Sequence, residues 1–185
     1  MINLKNTKQS YGVIAMIIHW LFALGVFGLF GLGLYMVELT YYDTWYKGSL
    51  DLHKSLGVVM LMLLVLRVVW RVLNISPEAI AAPKWQQLGA SFAHFLLYLL
   101  PLALMFSGYL ISTADGRAIE VFELVAIPAL PALIDNQEDV AGLIHEILAW
   151  LTIGIALIHA IAALKHHVID KDQTLNRMIG RNKSI

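Results

Sequence analysis

Four stretches of this chain are too long and too poor in charge to be ordinary helices of a water-soluble domain. A helix needs about 20 mostly apolar residues to cross ~30 Å of hydrocarbon. Charge spacing marks four segments of that kind: about 12–37, with no charge between Lys8 and Glu38; 52–72, where His53, Lys54, Arg67 and Arg71 lie near the ends; 85–112, inside an uncharged run between Lys84 and Asp115; and 140–164, with Glu146 near its start. Composition agrees. Of 185 residues, 59% are hydrophobic and only 14% are charged, against about 25% charged in soluble chains. A globule this size could not cover itself with so little charge, so the expected solvent is membrane lipid. Disorder, a collagen-like repeat and a soluble enzyme are excluded.

The first segment is longer than the roughly 7–15 apolar residues of a secretory signal, so it reads as an uncleaved span. The apolar stretch 121–134 is short, contains Glu123 and is broken by Pro128 and Pro131. It reads as an interfacial loop or short surface helix rather than a fifth span. No linker, repeat or low-complexity tract divides the chain, and a single membrane domain over 1–185 is expected. With four spans both termini share a side. That side carries Lys5, Lys8, Arg67, Arg71, Lys84, Lys165, Lys171, Arg177, Arg181 and Lys183, and the other carries Lys47, Lys54 and Arg117. The positive-inside bias therefore places both termini in the cytoplasm.

Thirteen Lys and Arg balance thirteen Asp and Glu. This argues against a nucleic-acid partner, because phosphate recognition needs clustered excess positive charge. There is no cysteine, which excludes disulfides, thiolate metal sites and the covalent attachment of c-type haem. Metal or redox chemistry must then run through His, Met or carboxylates.

Ionisable residues within spans are costly, so each is a functional candidate. His19 lies about two turns into the first span and His53 at the far end of the second. In the fourth span, His145 is near the outer end and His159 near the inner end. The 14 residues between His145 and His159 rise ~21 Å and fall ~40° short of four full turns, so both project to nearly the same face. Antiparallel packing sets His53 opposite His145 and His19 opposite His159. Two facing imidazoles at one depth are what a six-coordinate b-type haem requires. Arg67 follows His53 by the same 14 residues and falls at the inner level. There it suits a haem propionate or a quinone headgroup, or else anchors the helix as a positive-inside residue. Gly25, Gly28, Gly57 and Gly154 suit either a flat cofactor or close helix packing. His94, in the inner half of the third span, reads as a propionate or quinone contact. His166 and His167 end the fourth span, where a solvated helix C-terminus is the simpler explanation.

Longer patterns carry a resemblance. Ile18-His19-Trp20, Leu52-His53-Lys54-Ser55-Leu56-Gly57 and Leu66-Arg67-Val68-Val69-Trp70-Arg71 are matched by Ala93-His94-Phe95-Leu96-Leu97-Tyr98-Leu99-Leu100-Pro101 and Ser107-Gly108 in the third span. His145-Glu146, Leu157-Ile158-His159 and the run from Ala163 to Asp172 complete them. Nearly the whole chain resembles the bacterial cytochrome b561 family of small di-haem membrane proteins. The resemblance implies an all-α, transmembrane four-helix bundle enclosing two haems b, with axial ligands carried onto His19, His53, His145 and His159, and electron exchange with ubiquinone. One branch of the family is similar to a superoxide oxidase, so the expected activity is a quinone-linked oxidoreductase of the inner membrane with a periplasmic electron donor. Lys54, with Lys47, offers a local positive approach for superoxide, although the outer loop is acidic. Arg67, Arg71, His94 and His166 favour the inner side for quinone. The alternative is a haem-bearing anchor subunit of a larger dehydrogenase or hydrogenase. A haem-free, histidine-lined transporter is the third possibility.

Overall fold

The computed structural model describes residues 3–181, so Lys183, one of the charges counted above, lies outside the described residues. Four long helices dominate: α1 (Val13–Val37), α2 (Tyr46–Leu73), α3 (Lys84–Ser112) and α4 (Gln137–Val168). All four are long and apolar enough to cross a membrane. A two-stranded sheet, β1 (Ile119–Val121) and β2 (Val125–Ile127), and a short α5 (Thr174–Met178) complete the described elements.

α1 and α3 match the apolar segments read from sequence to within a residue, whereas α2 and α4 overrun them. α2 begins at Tyr46, six residues before position 52, and α4 runs for 32 residues. A helix that long is about 48 Å from end to end, well beyond ~30 Å of hydrocarbon. Charge marks where lipid gives way to headgroups and water, whereas backbone hydrogen bonding continues past it. Pro101 is buried within α3, as spans tolerate when neighbouring helices enclose the break.

The connection at 121–134 is neither a helix nor wholly irregular. Ile119 pairs with Ile127 and Val121 with Val125 in an antiparallel hairpin. Its tip is closed by the Leu124 N–H donating to the Val121 carbonyl at 3.0 Å. Phe122 and Glu123 both have positive φ, 50° and 61°. This is the backbone of a tight hairpin turn, normally announced by Asn or Gly. No such residue stands at the tip, so the signal was missing. Phe122 N–H donates to the Ser55 hydroxyl at 3.0 Å, and the Tyr109 hydroxyl donates to the Pro128 carbonyl at 2.9 Å. The hairpin is thereby tied to α2 and the following loop to α3 at one end of the bundle, the hairpin end.

At the other end, Glu78 N–H donates to the Lys8 carbonyl at 2.8 Å, Arg177 to the Glu78 carbonyl at 2.7 Å and Trp20 Nε1 to the Met178 carbonyl at 2.9 Å. The segment before α1, the α2–α3 connection and α5 therefore meet at one end, the terminal end. α3 packs most extensively on α4 and α1 on α2. A core of Phe22, Met60 and Leu64, flanked by Val26, Leu29, Leu63, Tyr98 and Met105, fills the bundle between its two ends. Leu24, Met62, Phe92 and Ile161 are each more than 60% exposed. An apolar exterior of this extent is expected only where lipid covers it.

Candidate functional site

The four histidines singled out by depth form two facing pairs. At the hairpin end the His53 and His145 ring centroids are 6.3 Å apart with planes at 69°. At the terminal end the His19 and His159 centroids are 6.4 Å apart at 72°. A metal–imidazole bond of about 2 Å on each side of one ion, with each ring centre roughly 1 Å further back, puts two centroids about 6 Å apart. Both pairs have the separation of two rings sharing one metal.

At the hairpin end the neighbours preset one ligand. His145 Nδ1 lies 3.0 Å from the Leu104 carbonyl and 3.1 Å from the Ser107 hydroxyl. A carbonyl only accepts, so Nδ1 carries the proton and Nε2 keeps its lone pair. Oriented imidazoles of this kind are typical of metal ligands. Gly108 allows the approach: a Cβ there would lie 3.0 Å from His145 Cε1 and 3.3 Å from Nδ1. Gly33 faces His53 more loosely, since a Cβ there would sit 3.4 Å from Cε1, an ordinary contact. His53 Nδ1 is buried without a hydrogen-bond partner, a costly state for a polar atom. A second imidazole facing it and an orphaned nitrogen are a donor set that fits a haem iron.

The terminal end differs. Arg67 Nη2 donates to His19 Nδ1 at 2.9 Å, and its guanidinium lies 5.5 Å from the Phe22 ring centroid and 5.1 Å from that of Tyr98. Arg71 lies 5.6 Å from the same Tyr98 ring. Arg67 thus faces the bundle interior and does not reach out as a surface anchor. His94 stands 5.3 Å from His159, centroid to centroid, so this level holds three imidazoles.

His166 is separate from these clusters. Its Nδ1 is 2.8 Å from Asp172 and 3.0 Å from Asp170, which also binds Lys165 at 2.7 Å. The C-terminus of α4 is therefore closed by a knot of charge and not simply solvated. At the opposite end Lys54 is held by Asp51 at 3.0 Å and Arg117 by Asp115. The Arg117 guanidinium holds the Asp115 carboxyl below its usual range. These pairs reduce the positive approach for an anion that Lys54 suggested.

Sequence reasoning missed Gly33, Gly108, Ser107 and Leu104 as supports of the histidine rings. It had named other glycines. Of those, Gly25 is a close-packing position, because a Cβ there would overlap the Met60 side chain, whereas Gly28, Gly57 and Gly154 border open space. Ser107-Gly108 stands in the sequence only as one of the stretches that carry the family resemblance, which does not say that it faces His145.

A sequence profile of the family described as prokaryotic cytochrome b561 matches residues 10–181. The chain is similar to cytochrome b561 homolog 2 of Escherichia coli (strain K12), 49% identical over 182 residues that cover 97% of this chain and 96% of the relative. It is also similar to cytochrome b561 homolog 1 of the same organism, 33% identical over 138 residues, 72% of this chain and 76% of that one. A protein of Yersinia pestis named probable superoxide oxidase CybB is 30% identical over 143 residues, 77% and 79% of the two chains.

Proposed function

The chain belongs to the prokaryotic cytochrome b561 family of membrane electron-transfer proteins, which implies b-type haem, and from that premise we propose a two-haem relay between a periplasmic donor and ubiquinone. The observation that carries the reading is the pair of facing histidine pairs, 6.3 and 6.4 Å between centroids, at opposite ends of one bundle. His53 and His145 would hold one haem b, and His19 and His159 the other. Haem iron supplies the one-electron redox change.

The residues of the chain supply the setting. Leu104 and Ser107 keep the His145 Nδ1 proton in place and so leave Nε2 free to ligate. Phe22, Met60 and Leu64 pack the space between the two levels and exclude water from it. Arg67 and Arg71 bring two permanent positive charges to the terminal end, where they suit propionates or the polar head of a quinone. An apolar groove of about 380 Å³ runs between α2 and α3, lined by Leu64, Val68, Phe95, Tyr98 and Leu102 among others. Tyr98, the ring beneath both arginines, forms part of its wall, and this apposition of apolar groove and charge supports quinone exchange at the terminal end. The excess of Lys and Arg there supports cytoplasmic termini. His94 and His166 belong to the same end. The name of the Yersinia pestis relative makes superoxide the first donor to test, against the acidic and ion-paired hairpin end.

The decisive experiment is a reduced-minus-oxidised spectrum of detergent-purified protein with a pyridine-haemochrome count, followed by quinone reduction with superoxide as donor. Two haems b per chain and quinone turnover are expected. Protein without haem, made under adequate haem supply, overturns the relay and favours a histidine-lined transporter. Two haems with no turnover, in a chain that copurifies with a dehydrogenase or hydrogenase, replaces the self-sufficient oxidoreductase with an anchor subunit.

A further inference from the structure

The terminal end holds one more imidazole than a pair requires. His159 on α4 has two ring neighbours: His19 from α1, 6.4 Å away at 72°, and His94 from α3, 5.3 Å away at 66°. Rings sharing one metal stand about 6 Å apart, and the two separations fall on either side of that value. Small changes in side-chain torsion cover the difference for His94.

His19 carries a constraint that His94 lacks. Its Nδ1 accepts from Arg67 Nη2 at 2.9 Å, and a guanidinium can only donate, so this bond uses the Nδ1 lone pair. If Nδ1 is the nitrogen that ligates, Arg67 blocks it. If Nε2 ligates, a neutral imidazole carries its proton on Nδ1, which then cannot accept from Arg67. In either case ligation by His19 and the Arg67 bond exclude each other. The stacking of the Arg67 guanidinium with Phe22 and Tyr98 stabilises the arrangement in which His19 is occupied.

We infer that His94 is a third imidazole donor of the terminal end, able to stand opposite His159 in place of His19 while Arg67 holds His19. The inference rests on the reading that a haem is held at His159. It gives this end two interchangeable ligand pairs built on one shared histidine, where the hairpin end has a single pair.

Haem-loaded, full-length variants test it through haem count and the spin state of the oxidised iron by electron paramagnetic resonance. His19→Ala is expected to keep two haems per chain, both low-spin, with the signal of one displaced. The double variant His19→Ala/His94→Ala and the single variant His159→Ala are expected to fall to one. The remaining haem, whose ligands are untouched, reports that the bundle has folded. Should His19→Ala lose that haem as well, His19→Gln, which keeps an acceptor for Arg67, makes the same comparison. A His19 variant that retains one haem, or whose second haem is high-spin, overturns the role of His94 and leaves the two-pair reading standing. Two low-spin haems in His159→Ala would instead overturn the two-pair reading itself.

Discussion

The two ends of the bundle present the same imidazole spacing in opposite surroundings. At the hairpin end His145 is locked by the Leu104 carbonyl and Ser107 hydroxyl, and Gly108 lies tight against its ring. At the terminal end His19 is bound by an arginine, His159 has two imidazole neighbours, and aromatic rings stack with the charge. The first is a rigid, neutral cradle, and the second is adaptable and permanently positive. Positive charge beside an iron stabilises its reduced state, so the terminal-end haem is expected to have the higher potential, and electrons to run from the hairpin end toward the arginines.

The comparison breaks most sharply at Gly108. A Cβ there would lie 3.0 Å from His145 Cε1, and the branched side chain of Gly108→Val cannot fit without displacing the ring. Loss of the hairpin-end haem is expected, from two haems per chain to one, with the terminal-end haem retained. Two unshifted low-spin haems in the variant would show that the cradle is softer than its contacts imply.

Arg67→Leu probes the other end and is expected to act more gently. Both haems should stay bound, because no ligand is removed. What is lost is a permanent positive charge beside the Phe22 and Tyr98 rings, where it suits a propionate or a quinone headgroup. Quinone-coupled haem oxidation is expected to slow roughly tenfold, the effect of losing about 1.4 kcal/mol of electrostatic stabilisation of charge developing on the quinone head. The potential of the terminal-end haem should fall. Unchanged kinetics and potentials would remove Arg67 from the electron path.

Much of this contrast was hidden in the linear pattern, for reasons that differ between the ends. Depth and the 14-residue spacing place His145 and His159 at two levels because helical rise and period are fixed by the backbone. Charge spacing finds the four spans because the cost of a charge in lipid is large. Neither argument reaches Gly33 or Gly108, whose role depends on which helix faces which ring. Nor does either foresee that Arg67 bonds His19, since a long flexible side chain can serve a lipid headgroup or the interior equally well. The hairpin at Ile119–Ile127 escaped because its tip uses Phe122 and Glu123 in a backbone conformation usually given to Gly or Asn. Its anchor, Ser55, lies 67 residues away from Phe122 in sequence.

The smallest expected effect lies where the terminal end meets water. Asp172 accepts from the Thr174 backbone N–H at 2.8 Å and lies 2.8 Å from His166 Nδ1, so it joins the start of α5 to the end of α4. α5 in turn touches α1 through Met178 and Trp20, the neighbour of His19. Burial works to raise the Asp172 carboxyl, but the bonds from Thr174 and His166 outweigh it and hold it below the ordinary 3.8. A carboxylate lowered in the folded state contributes stability that is fully present above its unfolded pKa and is lost as pH falls through the folded value. Hydrogen exchange of the α5 amides should therefore be insensitive to this group from neutral pH down to about 4, and opening should increase below that. Asp172→Ala should loosen the segment by about 1 kcal/mol at neutral pH and abolish that acid-dependent step, while both haems remain. An acid step of equal size in the variant would mean that Asp170, which shares His166 and Lys165, holds the knot instead.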